Sequence, residues 1–309
     1  LKPFWPKSFW PKLSIGRCPQ AAAEPDSAML FTFIREHPLA ATLYGSFLIG
    51  CLIIYKTLEA KSTGQYDYML TLSAALQTLA FGLLVFDTKS SAGEGISEKS
   101  LWAFFIANVT RLSTTFWGEG YVPEDNTSNV FLYQALELCG VVFLAYQLLK
   151  LSTVRAIHDV GQGMEKWSTV LVMIGVALVL AFNTHSTGHA DYFADLSWMF
   201  SVWLEAFALI PQVYLLKNQS KVDETAAHFA GFTLVASLIF GAFWLRHTRD
   251  FQIAGDAEAR TFDWALSTAC VIRVGLCGTY CYLFVQSSSN SKPKGGGPAY
   301  EMVGQMDEL

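Results

Sequence analysis

The sequence predicts an all-α membrane protein with about eight transmembrane helices. Three observations carry that reading: the composition, the recurrence of apolar runs, and the distribution of Lys and Arg. The 309 residues are 52% hydrophobic and 15% charged, with a mean hydropathy of +0.32. A soluble domain carries about a quarter charged residues, so the deficit points to lipid as solvent. Apolar runs recur at 39–57, 66–87, 101–117, 129–149, 167–183, 192–216, 227–245 and 262–285. Each is near the ~20 residues that cross a ~30 Å hydrocarbon core. Backbone polar groups must be satisfied within lipid, and no alternating ten-residue strand pattern occurs, so helices are predicted rather than barrel strands.

The runs divide the chain into an N-terminal tail (1–38), an additional N-terminal span and loop (39–65), a seven-helix domain (66–286) and a flexible C-terminal tail (287–309). The first segment contains PFWPKSFWPK, with no apolar stretch beside a small-residue cleavage site, and is not read as a signal peptide. With the N-terminus in the cytosol and the spans alternating, fourteen of the 21 Lys and Arg residues fall on the cytosolic side. Lys56, Lys61, Arg246, Arg249 and Arg260 fall opposite, and Arg111 and Arg273 lie within spans. That bias predicts two cytosolic ends. It also places the Asn126-Thr-Ser128 sequon in a lumenal loop free of Lys and Arg.

Charges inside spans are expensive in lipid and mark polar pathways or paired sites. Five stand out: Arg111, Glu137, Asp195, Glu205 and Arg273. Counted from the lumenal ends of their runs, Arg111 and Glu137 lie about 9 and 12 Å deep, and Glu205 and Arg273 about 20 and 17 Å deep. Two Arg–carboxylate pairs at matched depths are therefore expected. They either glue the bundle or line a lumen-facing cavity for a charged ligand. The six cysteines form no CxxC pair. His185 and His189 are spaced i, i+4, but Ser-Thr-Gly between them argues for a loop rather than a metal-binding helix face. There is no GxSxG, HExxH or P-loop, so no catalysis, metal or cofactor is expected. The net charge of −5 gives no reason to expect nucleic acid. Pro211-Gln212, deep in a span, predicts a broken helix.

Three blocks bear a resemblance to a known family: SAGEGISEKSLWAFFIANVTRL (91–112), DLSWMFSVWLEAFALIPQVYLLKN (195–218) and ETAAHFAGFTLVASLIFGAFWL (224–245). They are similar to blocks of the KDEL receptors, the ER lumen protein-retaining receptors, and the likeness covers roughly residues 66–286. The extra span at 39–57 resembles an eight-span retaining-receptor-like branch. The resemblance implies a PQ-loop/SWEET-like fold of two triple-helix bundles around a lumen-facing polar cavity. It implies capture of C-terminal K/HDEL-type peptides of ER lumenal proteins, and residence in ER and Golgi membranes. It further implies vesicle coat machinery acting on a cytosolic tail. By position, Arg111 matches an arginine that binds the signal's carboxylates. Asp195 and Glu205 match acidic cavity residues, and Trp198 and Trp244 match cavity tryptophans. The ligand-binding set expected here is therefore Arg111, Asp195, Trp198, Glu205, Trp244, Arg273 and Glu137.

The chain also departs from the family pattern. Ala236 and Ser237 stand where the family has Tyr-Arg, and neither the family's first-span arginine nor its pH-sensing histidine has a clear match in 66–87, where Ala74 or a neighbour occupies that region. Phe243 replaces a polar residue, and Arg246 is one position out of register. A small-solute transporter on the same scaffold is the alternative reading, and an assembly protein whose ion pairs only glue the bundle is the third. The last four residues, Met306-Asp307-Glu308-Leu309, look like a retention signal, but such a signal is read from the lumen.

Overall fold

The computed structural model describes residues 67–86, 96–117, 127–158, 167–185, 192–218, 224–252 and 257–290, with Gly45 and Ile49 outside them. The tail 1–38, most of the segment 39–65, Asn126, His189 and the last four residues lie outside the described residues. Among the described residues eight helices follow in order: α1 (Asp67–Phe86), α2 (Glu98–Trp117), α3 (Thr127–His158), α4 (Trp167–Thr184), α5 (Tyr192–Phe207), α6 (Ile210–Asn218), α7 (Glu224–Gln252) and α8 (Ala257–Asn290). No strand occurs among the described residues. The chain is a multi-pass helical membrane protein.

Among the described residues six helical stretches are long and apolar enough to cross a membrane, with α5 and α6 counting together as one stretch, Tyr192–Lys217. α2 is not among them. It carries Glu98, Lys99 and Arg111, and its second half is rich in Asn, Thr and Ser. Such a helix is tolerated at membrane depth when protein covers it. α2 packs against α3, α4, α5 and α6, and its Asn108, Arg111, Thr114 and Thr115 are all buried. By contrast α3 and α4 leave Phe131, Val142, Leu149, Leu171, Val172, Val179 and Phe182 exposed. On a water-soluble protein that much contiguous apolar surface would be anomalous; here it is the lipid face.

The helices pair in a regular way. α1 packs on α3 and α5 on α8; α2 packs on α3 and α7 on α8; and across these groups α1 packs on α7 and α2 on α5. The pattern is unchanged when α1, α2 and α3 are exchanged with α5, α7 and α8. Small residues set the closest approaches, because in lipid helices associate through close van der Waals packing. A Cβ on Gly140 of α3 would meet Thr78 Oγ1 of α1 at 3.3 Å. Between α1 and α7, Ser73 donates a hydrogen bond to the Ala236 carbonyl at 2.8 Å.

The break before Pro211 falls at Ala208-Leu209. Proline has no N–H to offer the Phe207 carbonyl, and the Ala208 N–H reaches back only three residues, to the Glu205 carbonyl at 3.3 Å. The chain then resumes as α6. Its Gln212 side chain crosses to α2, where Oε1 accepts the Ser97 N–H at 2.6 Å. Ser97 in turn caps α2, its Oγ accepting the Ser100 N–H at 3.3 Å. The glutamine of the Pro-Gln pair therefore satisfies an otherwise orphaned backbone donor at the start of a neighbouring helix.

Candidate functional site

Four helices bring four charges into one buried network. Arg111 of α2 faces Glu137 of α3 side-on: Nε donates to Oε2 at 3.2 Å, and Nη2 reaches Oε1 at 2.9 Å and Oε2 at 3.0 Å. The same Nη2 donates to Asn108 Oδ1, one turn earlier on α2, at 2.9 Å. Nη1 donates to Glu205 Oε2 of α5 at 2.6 Å. The other oxygen of Glu205 faces Arg273 of α8, whose Nη2 lies 3.0 Å from Oε1. Gln77 of α1 completes the arrangement. Its amide nitrogen donates to Glu205 and its oxygen accepts from Arg273 Nη2 at 2.9 Å.

All four charged residues are buried, none more than 4% exposed. Two guanidiniums and two carboxylates sum to zero, which is the condition for holding charges away from water. Buried pairs of this kind sit near break-even in stability, whereas removing one partner strands a charge. Their orientation is over-determined: Glu205 is gripped from α1, α2 and α8 at once, so those helices are fixed in register around it.

The two expected pairs are both present, but they are not separate. Glu205 joins them, although counting residues from the ends of the runs set Arg111 and Glu205 about 11 Å apart in depth. That count assumed that every helix starts at the same plane and runs perpendicular to it. α2 ends at Trp117, as its run does, so the difference lies in the tilt and offset of the helices and in the reach of the long arginine side chain. Gln77 and Asn108 were missed. The available signals were an amide within the apolar run of α1, and an Asn placed i−3 from an Arg, which faces it on a helix.

An aromatic group adjoins the network. Arg273 lies over Phe240, with Cζ 5.7 Å from the ring centroid. Phe240 contacts Trp244 at 6.2 Å, and Trp244 meets Trp198 of α5 edge-on at 5.0 Å. The two tryptophans expected to line a site do stand together, and through Phe240 they are continuous with the charges. Asp195 is buried one turn before Trp198, ten residues or about 15 Å of helix from Glu205. Phe243 packs on Trp244 at 5.2 Å. Ser237 is buried, donating to the Thr233 carbonyl at 2.6 Å and lying 3.9 Å from Cys277 Sγ. Cys277 is one turn from Arg273 on α8, so Ser237 faces the helix that carries that cation.

Comparison with known proteins shows the family. Residues 92–247, just over half of the chain, match the model of the family described as ER lumen protein retaining receptor. This chain belongs to that family. The yeast (Saccharomyces cerevisiae) ER lumen protein-retaining receptor is 28% identical over 144 residues, covering 44% of this chain and 58% of that protein. A Caenorhabditis elegans ER lumen protein-retaining receptor is 29% identical over 141 residues, 46% of this chain and 60% of its own. The match thus spans about three fifths of those two relatives. The Petunia hybrida receptor is 23% identical over 209 residues, 68% of this chain and 87% of that protein. The family match contains α2, α3, α5 and most of α7, and with them Arg111, Glu137, Asp195, Trp198, Glu205 and Trp244. Arg273, on α8, lies beyond it.

Proposed function

We propose that this protein is a sorting receptor, not an enzyme, that captures K/HDEL-type C-terminal peptides of ER lumenal proteins and returns them from the Golgi to the ER. Family membership and the names of the matching relatives support retention over solute transport. The observation within the chain that carries the reading is Arg111. Its guanidinium is held in place by Asn108, Glu137 and Glu205, and a guanidinium is the fork that a peptide's terminal carboxylate pairs with bidentately once an edge is freed. The packing of α1 and α2 on α3, mirrored by that of α5 and α7 on α8, supports two triple-helix bundles of the PQ-loop/SWEET kind, with 39–57 as an eighth span. The Lys/Arg bias supports cytosolic ends, which vesicle coat machinery can reach. Trp198, Trp244, Glu205 and Arg273 complete the proposed ligand set, with Asp195 near its lumenal mouth.

The test is binding of a His-Asp-Glu-Leu tetrapeptide, as free acid and as C-terminal amide, to the full chain in lipid nanodiscs. The free acid is expected to bind and the amide to bind at least tenfold more weakly. Replacing the pair together, Arg111→Met with Glu137→Leu, leaves no stranded charge and is expected to erase that preference. Equal binding of acid and amide to the unaltered chain refutes Arg111 as a carboxylate anchor.

A further inference from the structure

A guanidinium offers a carboxylate two bidentate approaches, the side-on edge of Nε with Nη2 and the end-on pair of terminal nitrogens. Arg111 has neither open. Glu137 holds the side-on edge with three contacts of 2.9–3.2 Å, Asn108 takes Nη2 as well, and Glu205 takes Nη1 at 2.6 Å. Of the five N–H groups, one on Nη1 remains, too few for a second bidentate pair.

The two carboxylates are not equally held. Glu205 is tied to Gln77, Arg111 and Arg273 on three other helices, and withdrawing it would strand Arg273. The Glu137 carboxylate is tied to Arg111, and on its own helix to Tyr133 one turn away. Withdrawing it leaves Arg111 still paired with Glu205. An arriving carboxylate that takes its place leaves the site neutral when the displaced Glu137 carboxyl, still buried on α3, takes up a proton from water.

We propose that Glu137 is the specificity-determining residue of this site. Its carboxylate occupies the side-on edge of Arg111 that a ligand carboxylate needs, and an acidic peptide end docks by displacing it. This rests on the retention-receptor reading above, and it names the chain's own competitor for the ligand. A carboxylate ligand entering here replaces the Glu137 carboxylate on Arg111, with a proton taken up by the displaced carboxyl, instead of neutralising a bare arginine. The site then answers to how well the rest of the peptide binds, since the carboxylate alone gains little.

The experiment compares the unaltered chain with Glu137→Gln, which matches it in size, and Glu137→Asp, whose shorter arm withdraws the charge from the edge. The probes are the free-acid tetrapeptide, its amide, and N-acetyl-leucine as a minimal carboxylate. Glu137→Gln is expected to bind the free acid at least tenfold more tightly, with the amide changed less than threefold and Glu137→Asp intermediate. Should Glu137→Gln fail to fold, Glu137→Asp carries the comparison. Equal free-acid affinity in the unaltered chain and the variants overturns the proposal and leaves the receptor reading standing. If no form binds peptide, but N-acetyl-leucine raises the melting temperature of Glu137→Gln and not of the unaltered chain, the proposal holds and the receptor reading falls. If neither probe distinguishes the variants, Glu137 is not the competitor.

Discussion

Neutralising Glu205 tests whether the four charges act as one unit. Glu205 is 1% exposed and is the only one of the four that touches both arginines, at 2.6 and 3.0 Å. Glu205→Gln keeps the shape but leaves two guanidiniums against one carboxylate, and it turns an amide nitrogen toward a cation. Stranding a charge in a buried pair costs about 3–5 kcal/mol. The upper half of that range is expected here, because Arg273 then keeps only the Gln77 oxygen. Arg273→Gln creates the opposite imbalance, with Glu205 still held by Arg111 and Gln77, and should cost about 3 kcal/mol. The double variant leaves Arg111 and Glu137 as a balanced pair. It is expected to be more stable than Glu205→Gln alone, with a coupling of at least about 1.5 kcal/mol in the cycle. Unfolding is followed in mixed detergent micelles by a thiol-reactive dye, since Cys270 and Cys277 are buried beside this region. Additivity of the two single variants to within about 0.5 kcal/mol would refute the unit.

Two further outcomes are expected. Gln212→Ala leaves the buried Ser97 N–H without its acceptor, which costs about 1–3 kcal/mol in the same assay; a change below about 0.3 kcal/mol would show that another group takes over the cap. Tags placed at each end of the chain should both be reached by a cytosolic probe and shielded from a lumenal one, and a lumenal C-terminus would contradict the orientation drawn from Lys and Arg.

The helices were legible because lipid imposes a length and an apolarity on each span, and the runs at 66–87, 167–183 and 192–216 coincide with α1, α4 and α5–α6 almost to the residue. The identity of the charged partners was legible for the same reason: Arg111 with Glu137 and Arg273 with Glu205 had few other ways to be neutralised at depth. What could not be read was how the pairs lie relative to one another. Tilt and helix offset are set by side-chain packing, and no residue count contains them. The contact of Glu205 with Arg111 depends on both. The role of Gln212 was hidden for a related reason. Its partner is a backbone N–H 115 residues away, and a backbone group leaves no mark on the sequence. Ser237 was visible as a departure, but only the structure shows that it faces α8, the helix that carries Arg273.

The break at Ala208-Leu209 divides one span into two short arms, and both arms hold α2. The arm above carries Glu205, clasped to Arg111; the arm below carries Gln212, clasped to the first turn of α2 at Ser97. Any hinge motion at the break must therefore be felt at two points on α2 at once, fourteen residues apart, and cannot be absorbed by sliding at one end. The two contacts thus pin α2 to the broken span at two levels, fixing its height and its rotation together.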